Sequence, residues 1–240
     1  MNIIIDQGNT SVKVAVFDQK NLVYTYHYKA IGEEELADVL QRYAPGRGIL
    51  CCVGDFPASL LHRLKRQLNS FIVLDDETPL PIRIQYDTPH TLGKDRIAAA
   101  VGAYAAQPGR NLLVIDAGTA VTYDFVSAEG LFEGGNISPG MTTRFRSLHD
   151  YTSHLPLLNE EGDVPPLGYS TETAIRAGVV QGMIRELDSY VEEYQKKHNV
   201  LAFLTGGHSF YFADKLKSHI FADGNLVLNG LNEILMYQYA

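Results

Sequence analysis

Apolar positions along the chain follow two rhythms, and the switches between them outline the fold. Ile3-Ile4-Ile5 runs into Asp6-Gln7-Gly8-Asn9-Thr10, and the alternating stretch Val12-Lys13-Val14-Ala15-Val16-Phe17 follows. An apolar run, a tight polar turn and a period-two stretch predict a β-hairpin. The same order returns in Leu112-Leu113-Val114-Ile115, then Asp116-Ala117-Gly118-Thr119-Ala120, then Val121-Thr122-Tyr123-Asp124-Phe125-Val126. The two aspartates lie 110 residues apart, close to half the chain. Repetition at that distance marks a duplicated domain, since a solenoid would repeat at a far shorter period.

Elsewhere helical spacing takes over. Leu36, Val39 and Leu40 place a helix over residues 33–43. Leu60, Leu61, Leu64 and Leu68 place another over 57–69, with Pro57 where a first helical turn tolerates it. Residues 95–106 are alanine-rich and helical. The longest helix covers 171–198, with Ile175, Val179, Met183, Leu187, Val191 and Tyr194 along one face. Short apolar runs at 49–53, 71–74 and 201–204 read as strands, and helical stretches follow at 210–218 and 231–239. Strands and helices alternate in both halves, which predicts an α/β protein of two domains, each a mixed sheet flanked by helices. The breaker cluster Pro108-Gly109-Arg110 sets the expected boundary, giving domains 1–110 and 111–240.

Composition narrows the class. The 240 residues are 45% hydrophobic and 20% charged, ordinary for a globular chain with a sizeable core. A net charge of −8 without any long Lys/Arg cluster speaks against nucleic acid as a partner. No run approaches the about 18 apolar residues of a membrane helix. The N-terminus has neither a basic region nor a cleavage site, so a cytoplasmic protein without a membrane partner is expected. The sequons at Asn9 and Asn136 then carry no glycan. Cys51 and Cys52 are adjacent in an apolar run and read as buried, reduced thiols. The eight histidines show no metal-ligand spacing.

A strand ending in Asp-x-Gly suits a phosphate clamp. Glycine lets the backbone approach an anion, and backbone N–H groups with small hydroxyls donate to it. The aspartate would act through a hydrated cation, usually Mg²⁺, and Lys13 could offset the remaining charge. Either copy alone is also an ordinary hairpin turn. Two copies, each heading half the chain, favour the clamp. Neither a Walker A sequence nor a Gly-x-Gly-x-x-Gly turn is present. Thr205-Gly206-Gly207 is a third glycine turn, open enough for a flat adenine. By position alone Asp95 reads as a helix-capping or dipole residue with Arg96 its surface neighbour, and Thr171 as the cap of the long helix.

Taken together, the Asp6–Thr10 turn with Lys13, the Asp116–Thr119 turn and Thr205-Gly206-Gly207 resemble the nucleotide-binding set of the actin, hexokinase and Hsp70 superfamily. Two further motifs resemble type III pantothenate kinases: Tyr86 through Leu92-Gly93-Lys94-Asp95-Arg96, and Gly134-Gly135-Asn136-Ile137-Ser138-Pro139-Gly140. Their order and spacing agree along nearly the whole chain. The resemblance implies duplicated ribonuclease H-like (actin-like ATPase) domains and a homodimer. It also implies ATP-dependent phosphorylation of pantothenate to 4′-phosphopantothenate, the first step of coenzyme A biosynthesis.

Carried onto this sequence, the resemblance implies that Asp6, Gln7, Gly8, Asn9, Thr10, Ser11, Val12, Lys13 and Thr119 line ATP. It makes Asp95 the general base and places Tyr86, Gly93, Lys94, Asp95, Arg96 and Thr171 on pantothenate. Asp116 would sit at a monovalent cation, K⁺ or NH₄⁺, and Asp6 on Mg²⁺ through water. The Gly134–Gly140 loop would shape the pocket. The rival readings are another small-molecule kinase of the superfamily and a nucleotide-binding regulator without turnover; an intact Asp6, Lys13 and Asp95 weighs against the second. Gln7 and Cys51-Cys52 depart from the family's usual residues.

Overall fold

The structure, a computed structural model, describes residues 1–239. In chain order its elements are β1 (Asn2–Gln7), β2 (Val12–Asp18), β3 (Asn21–Tyr28), α1 (Glu33–Tyr43), β4 (Arg47–Cys52), α2 (Ala58–Gln67), β5 (Ser70–Val73), β6 (Arg83–Ile84) and α3 (Lys94–Ala106). They continue with β7 (Leu112–Ala117), β8 (Ala120–Val126), β9 (Leu131–Pro139), α4 (Met141–Asp150), α5 (Thr171–His198), β10 (Leu201–Thr205), α6 (Ser209–Ala213), β11 (Phe221–Ala222) and α7 (Leu226–Tyr237). The chain forms two compact units. One comprises Met1–Gly109, Glu129–Glu133 and the residues from Asn225 onward; the other comprises Arg110–Ala128 and Gly134–Gly224.

In the first unit the strands lie in the order β3-β2-β1-β4-β5. The hairpins β1–β2 and β2–β3 are antiparallel, whereas β4 and β5 run parallel to β1. The pleat sorts β1 into two faces. Ile3 and Ile5 join Val12, Val14, Val16, Leu36, Val39, Leu60 and Leu64 in one core with α1 and α2. Asn2, Ile4 and Asp6 face the other way, and the Asn2 amide donates to Asn232 of α7 at 2.9 Å. Register places Lys13 and Cys51 directly beside Asp6, so all three share that face. Helix α7 has buried residues around most of its circumference, from Leu226 to Leu235, and packs on α3 and β1.

The second unit repeats this order. Its strands run β11-β10-β7-β8-β9, the same succession as β5-β4-β1-β2-β3. Again the opening hairpin is antiparallel, and β10 and β11 follow in parallel. The long α5 buries Ile175, Val179, Met183, Leu187 and Val191 against Leu113, Ile115, Val121 and Leu204, the face that its periodicity indicates.

Several elements differ from the sequence reading. Residues 134–139 belong to β9 rather than to a loop: their glycines carry no alternation, but the backbone pairs in the sheet next to β8. Helix α6 ends at Ala213, because the buried Asp188 carboxylate accepts the N–H groups of Lys217 and Ser218 at 3.0 and 3.1 Å. Helix α7 starts at Leu226, five residues before the apolar stripe suggested. Strands β3, β6 and β11 and helix α4 had no expectation at all. Among the described residues no helix is long and apolar enough to cross a membrane.

Candidate active site

The first Asp-x-Gly turn is closed by the Gly8 N–H, which donates to the Ser11 carbonyl at 3.0 Å. Asn9, Thr10 and Ser11 are exposed at its tip, while Val12 is buried and anchors β2. Gln7 braces the end of β1: its amide donates to the Asp55 carbonyl at 2.8 Å, and its own carbonyl accepts the Val53 N–H at 2.8 Å. That bracing gives a structural reason for its polar side chain. Asp6, paired with Lys13 across the hairpin, has its pKa pushed up to about 6. Burial raises it most, Lys13 pulls it back, and the negative charge of Asp95 raises it further.

Asp95 therefore lies within electrostatic reach of Asp6, brought there by the start of α3. Gly93 takes the N-cap position of that helix, so Asp95 stands at its second residue and not at the cap itself. Its charge is favoured by the helix dipole there. Asp95 Oδ1 accepts the Arg96 N–H at 2.9 Å, and a Cβ on Gly93 would lie 2.5 Å from the same oxygen. A side chain at 93 would push that carboxylate aside.

Arg96 is 7% exposed, not a surface neighbour. Its guanidinium carbon lies 5.9 Å from the ring centroids of both Tyr86 and Phe132, which meet edge to face at 6.2 Å. Lys94 pairs with Asp76, whose other oxygen meets His90 Nδ1 at 2.9 Å. The side-chain hydrogen bonds of Lys94 and His90 hold the Asp76 carboxyl below its usual range. Cys51 is fully buried; that burial, with the charges of Asp6 and Asp95, drives its thiol well up, so it stays protonated at neutral pH.

In the second unit the turn is built from glycine contacts. The Gly118 N–H donates to the Ala120 carbonyl at 3.1 Å. Asp116 Oδ1 stands 3.0 Å from where a Gly118 Cβ would be and 2.4 Å from that of Gly206. Gly206 has φ 92°, and His208 N–H donates to the Ala117 carbonyl at 3.1 Å. Thr205-Gly206-Gly207 is thus laid directly on the Asp116 turn. Thr119 is exposed at the tip. Its carbonyl accepts two donors, the Gly140 N–H at 3.0 Å and the Thr143 hydroxyl at 2.7 Å. A Cβ on Gly140 would lie 2.1 Å from the Gly118 carbonyl oxygen, which explains the last glycine of the Gly134–Gly140 motif.

Three polar residues of this unit escaped the sequence reading. Arg144 Nε donates to the Pro139 carbonyl at 2.7 Å, and its Nη2 reaches Ser138 Oγ at 2.9 Å and Glu186 Oε2 at 2.6 Å. Tyr123 Oη donates to Glu186 Oε1 at 2.9 Å and stacks on Tyr190 at 3.9 Å. Burial raises the Glu186 carboxyl, but hydrogen bonds from Arg144, Ser138 and Tyr123 outweigh it and hold it low. No local spacing signals this network, because its members come from β8, β9, α4 and α5. Thr171 is exposed at the first residue of α5. Ser170, not Thr171, caps that helix: its backbone is extended (φ −142°, ψ 166°) and its Oγ accepts the Thr173 N–H at 3.3 Å. Among the described residues no three His, Cys, Asp or Glu side chains gather around a metal site.

A sequence profile of the type III pantothenate kinase family matches residues 2–193. A type III pantothenate kinase of Azobacteroides pseudotrichonymphae is 50% identical over 238 residues, covering 99% of this chain and 97% of the relative. Two solved structures share the fold. One, from Campylobacter jejuni and assigned to the Baf family of transcriptional activators, has a TM-score of 0.64 at 21% identity, with 98% of each chain covered. The other, a glucokinase from an Antarctic psychrotroph, has a TM-score of 0.55 at 13% identity and the same coverage. The repeated mixed sheets share the fold of these structures and are the duplicated α/β architecture that the two hairpins predict, of the ribonuclease H-like kind that the resemblance implies. With its sequence matched over most of its length and a relative identical at half its positions, the chain belongs to the type III pantothenate kinase family.

Proposed function

We propose that this protein transfers the γ-phosphoryl group of ATP to the primary hydroxyl of pantothenate, giving 4′-phosphopantothenate and ADP. The observation that carries this reading is Asp95 at the start of α3 within electrostatic reach of Asp6, with the buried Arg96 near Tyr86 and Phe132. A carboxylate for the hydroxyl proton and a dry, oriented guanidinium for an anionic substrate are what such a transfer asks of a protein. The pantothenate hydroxyl oxygen attacks the γ-phosphorus, the bond from that phosphorus to the β–γ bridging oxygen breaks, and Asp95 takes the hydroxyl proton. Tyr86, Gly93, Lys94 and Arg96 are assigned to pantothenate, with Arg96 facing its carboxylate; the exposed Thr171 is assigned as a further substrate contact.

Two turns bind phosphate in this reading. Residues Gly8 to Ser11 offer N–H groups and small polar side chains, Lys13 offers charge, and Thr119 offers its exposed hydroxyl. Mg²⁺ bound with ATP neutralises phosphate charge. The residues fit such an ion: among the described residues Asp6 belongs to no cluster of three metal-ligating side chains, which suits a cation that keeps its waters and binds mainly through phosphates. Asp116, set over two glycines, is assigned to the monovalent cation, K⁺ or NH₄⁺. A homodimer in the cytoplasm completes the proposal.

The test is incubation with ATP, Mg²⁺ and pantothenate, with and without K⁺, following 4′-phosphopantothenate by mass spectrometry. Product from the wild type, raised by K⁺ and nearly lost in Asp95→Asn, is expected. Turnover of a sugar or acetate instead of pantothenate would overturn the substrate. ATP binding without any turnover would favour a regulator.

A further inference from the structure

We infer that the first turn of α4 is a positioning clamp for the Thr119 phosphate turn, acting through Thr143 and Arg144. This rests on the assignment of Thr119 to the ATP phosphates and names the residues that hold it in place. The Thr119 peptide has its carbonyl fixed by two donors, the Thr143 hydroxyl at 2.7 Å and the Gly140 N–H at 3.0 Å. Fixing a carbonyl fixes the plane of its peptide, and with it the direction in which the next N–H points. The two donors come from one short piece of chain, Gly140 to Thr143, so they move together.

That piece is itself held from behind. Arg144 donates to the carbonyl of Pro139, to Ser138 Oγ and to Glu186 Oε2, while its own N–H donates to the Gly140 carbonyl at 2.9 Å. Glu186 is steadied in turn by Tyr123 on β8. The end of β9, α4 and α5 are thereby joined through one guanidinium, and the joined end presses Gly140 onto Gly118 and Thr119. No Cβ fits there, with backbone atoms 2.1, 2.5 and 2.8 Å from its position. Neither Thr143 nor Arg144 is assigned to substrate. Each is a positioning residue, acting through the backbone of the turn.

The prediction follows from removing one donor while keeping the shape. Thr143→Val keeps volume but loses the hydroxyl; a net hydrogen bond of typical strength corresponds to about a three- to tenfold weakening of Mg·ATP binding. Thr143→Ser restores the hydroxyl and should return affinity to within about twofold. Arg144→Ala should weaken Mg·ATP by a similar or larger factor. The measurement is titration calorimetry of the full-length protein with Mg·ATP, together with KM for each substrate and the melting temperature of each variant. A rise in Kd and KM for ATP, with an unchanged KM for pantothenate, supports the clamp. Unchanged ATP affinity in Thr143→Val overturns it, as does an equal rise in both KM values. Should Arg144→Ala fail to fold, the Val and Ser variants of Thr143 still decide. Nucleotide binding is read without turnover, so a wild type that ignores pantothenate would defeat the proposed function and leave this test intact.

Discussion

Gly102 of α3 and Gly230 of α7 meet backbone to backbone where the two helices cross. A Cβ on Gly102 would lie 2.4 Å from the Leu226 carbonyl oxygen and 3.1 Å from the Gly230 nitrogen. A Cβ on Gly230 would lie 1.8 Å from the Ala98 carbonyl oxygen and 2.8 Å from the Gly102 nitrogen. The crossing fixes α3 along its length, and the first turn of α3 carries Asp95 and Arg96.

Gly230→Ala is therefore expected to destabilise the protein by about 3 kcal/mol, since backbone on both sides leaves nothing flexible to yield. Thermal melts should show the loss. A melting temperature within a degree of wild type would mean that the helices part without cost.

Asp6→Asn should stabilise the protein in a pH-dependent way. With its pKa raised from 3.8 to about 6, Asp6 binds its proton more tightly folded than unfolded. Relative to the protonated group, whose stability is fully kept below pH about 3.8, the carboxyl costs stability progressively as pH rises through about 6 and a constant amount above that. Removing the carboxyl should raise stability by on the order of 2 kcal/mol at pH 8, with little effect at pH 4, while Mg·ATP turnover falls. Melting curves of both proteins between pH 4 and pH 8 provide the check; a difference independent of pH would contradict the raised pKa.

Arg96→Lys keeps the charge but replaces the planar guanidinium that lies 5.9 Å from the ring centroids of Tyr86 and Phe132. KM for pantothenate should rise about tenfold, in line with loss of one desolvated cation–π and bidentate group, while KM for ATP stays near wild type. Steady-state kinetics with each substrate varied in turn would show this split, and an ATP effect of equal size would remove Arg96 from the pantothenate site.

Ser170→Ala removes the cap of α5. A loss of about 1 kcal/mol is expected from chemical denaturation, whereas Thr171→Ala, at the first helical residue, should leave stability within about 0.5 kcal/mol. If Thr171→Ala were the costlier of the two, the capping geometry would be wrong.

Much of the candidate site was legible because its signals are local. Asp6 to Lys13 and Asp116 to Thr119 are hairpins whose strand, turn and strand are contiguous, so composition and period report them directly. The boundaries of α1 and α5 match the periodicity to the residue for the same reason: an apolar face of period 3.6 is written in consecutive residues. Lys94, Asp95 and Arg96 could be named from their motif, but their environment could not. That Arg96 is buried between Tyr86 and Phe132, and that Lys94 is paired with Asp76, depends on residues far along the chain.

The sequence by itself determined the α/β class, the duplication and the two Asp-x-Gly hairpin turns, since each rests on patterns written in contiguous residues. Only the tertiary structure decided that Gly134 to Pro139 is a strand, because a glycine-rich segment has no side-chain alternation and acquires its conformation from backbone pairing. It also decided that α7, last in the chain, packs with the first unit. A helix that is apolar on most sides does not specify its partner; the small surfaces of Gly102 and Gly230 do, by letting two backbones approach where any side chain would hold them apart.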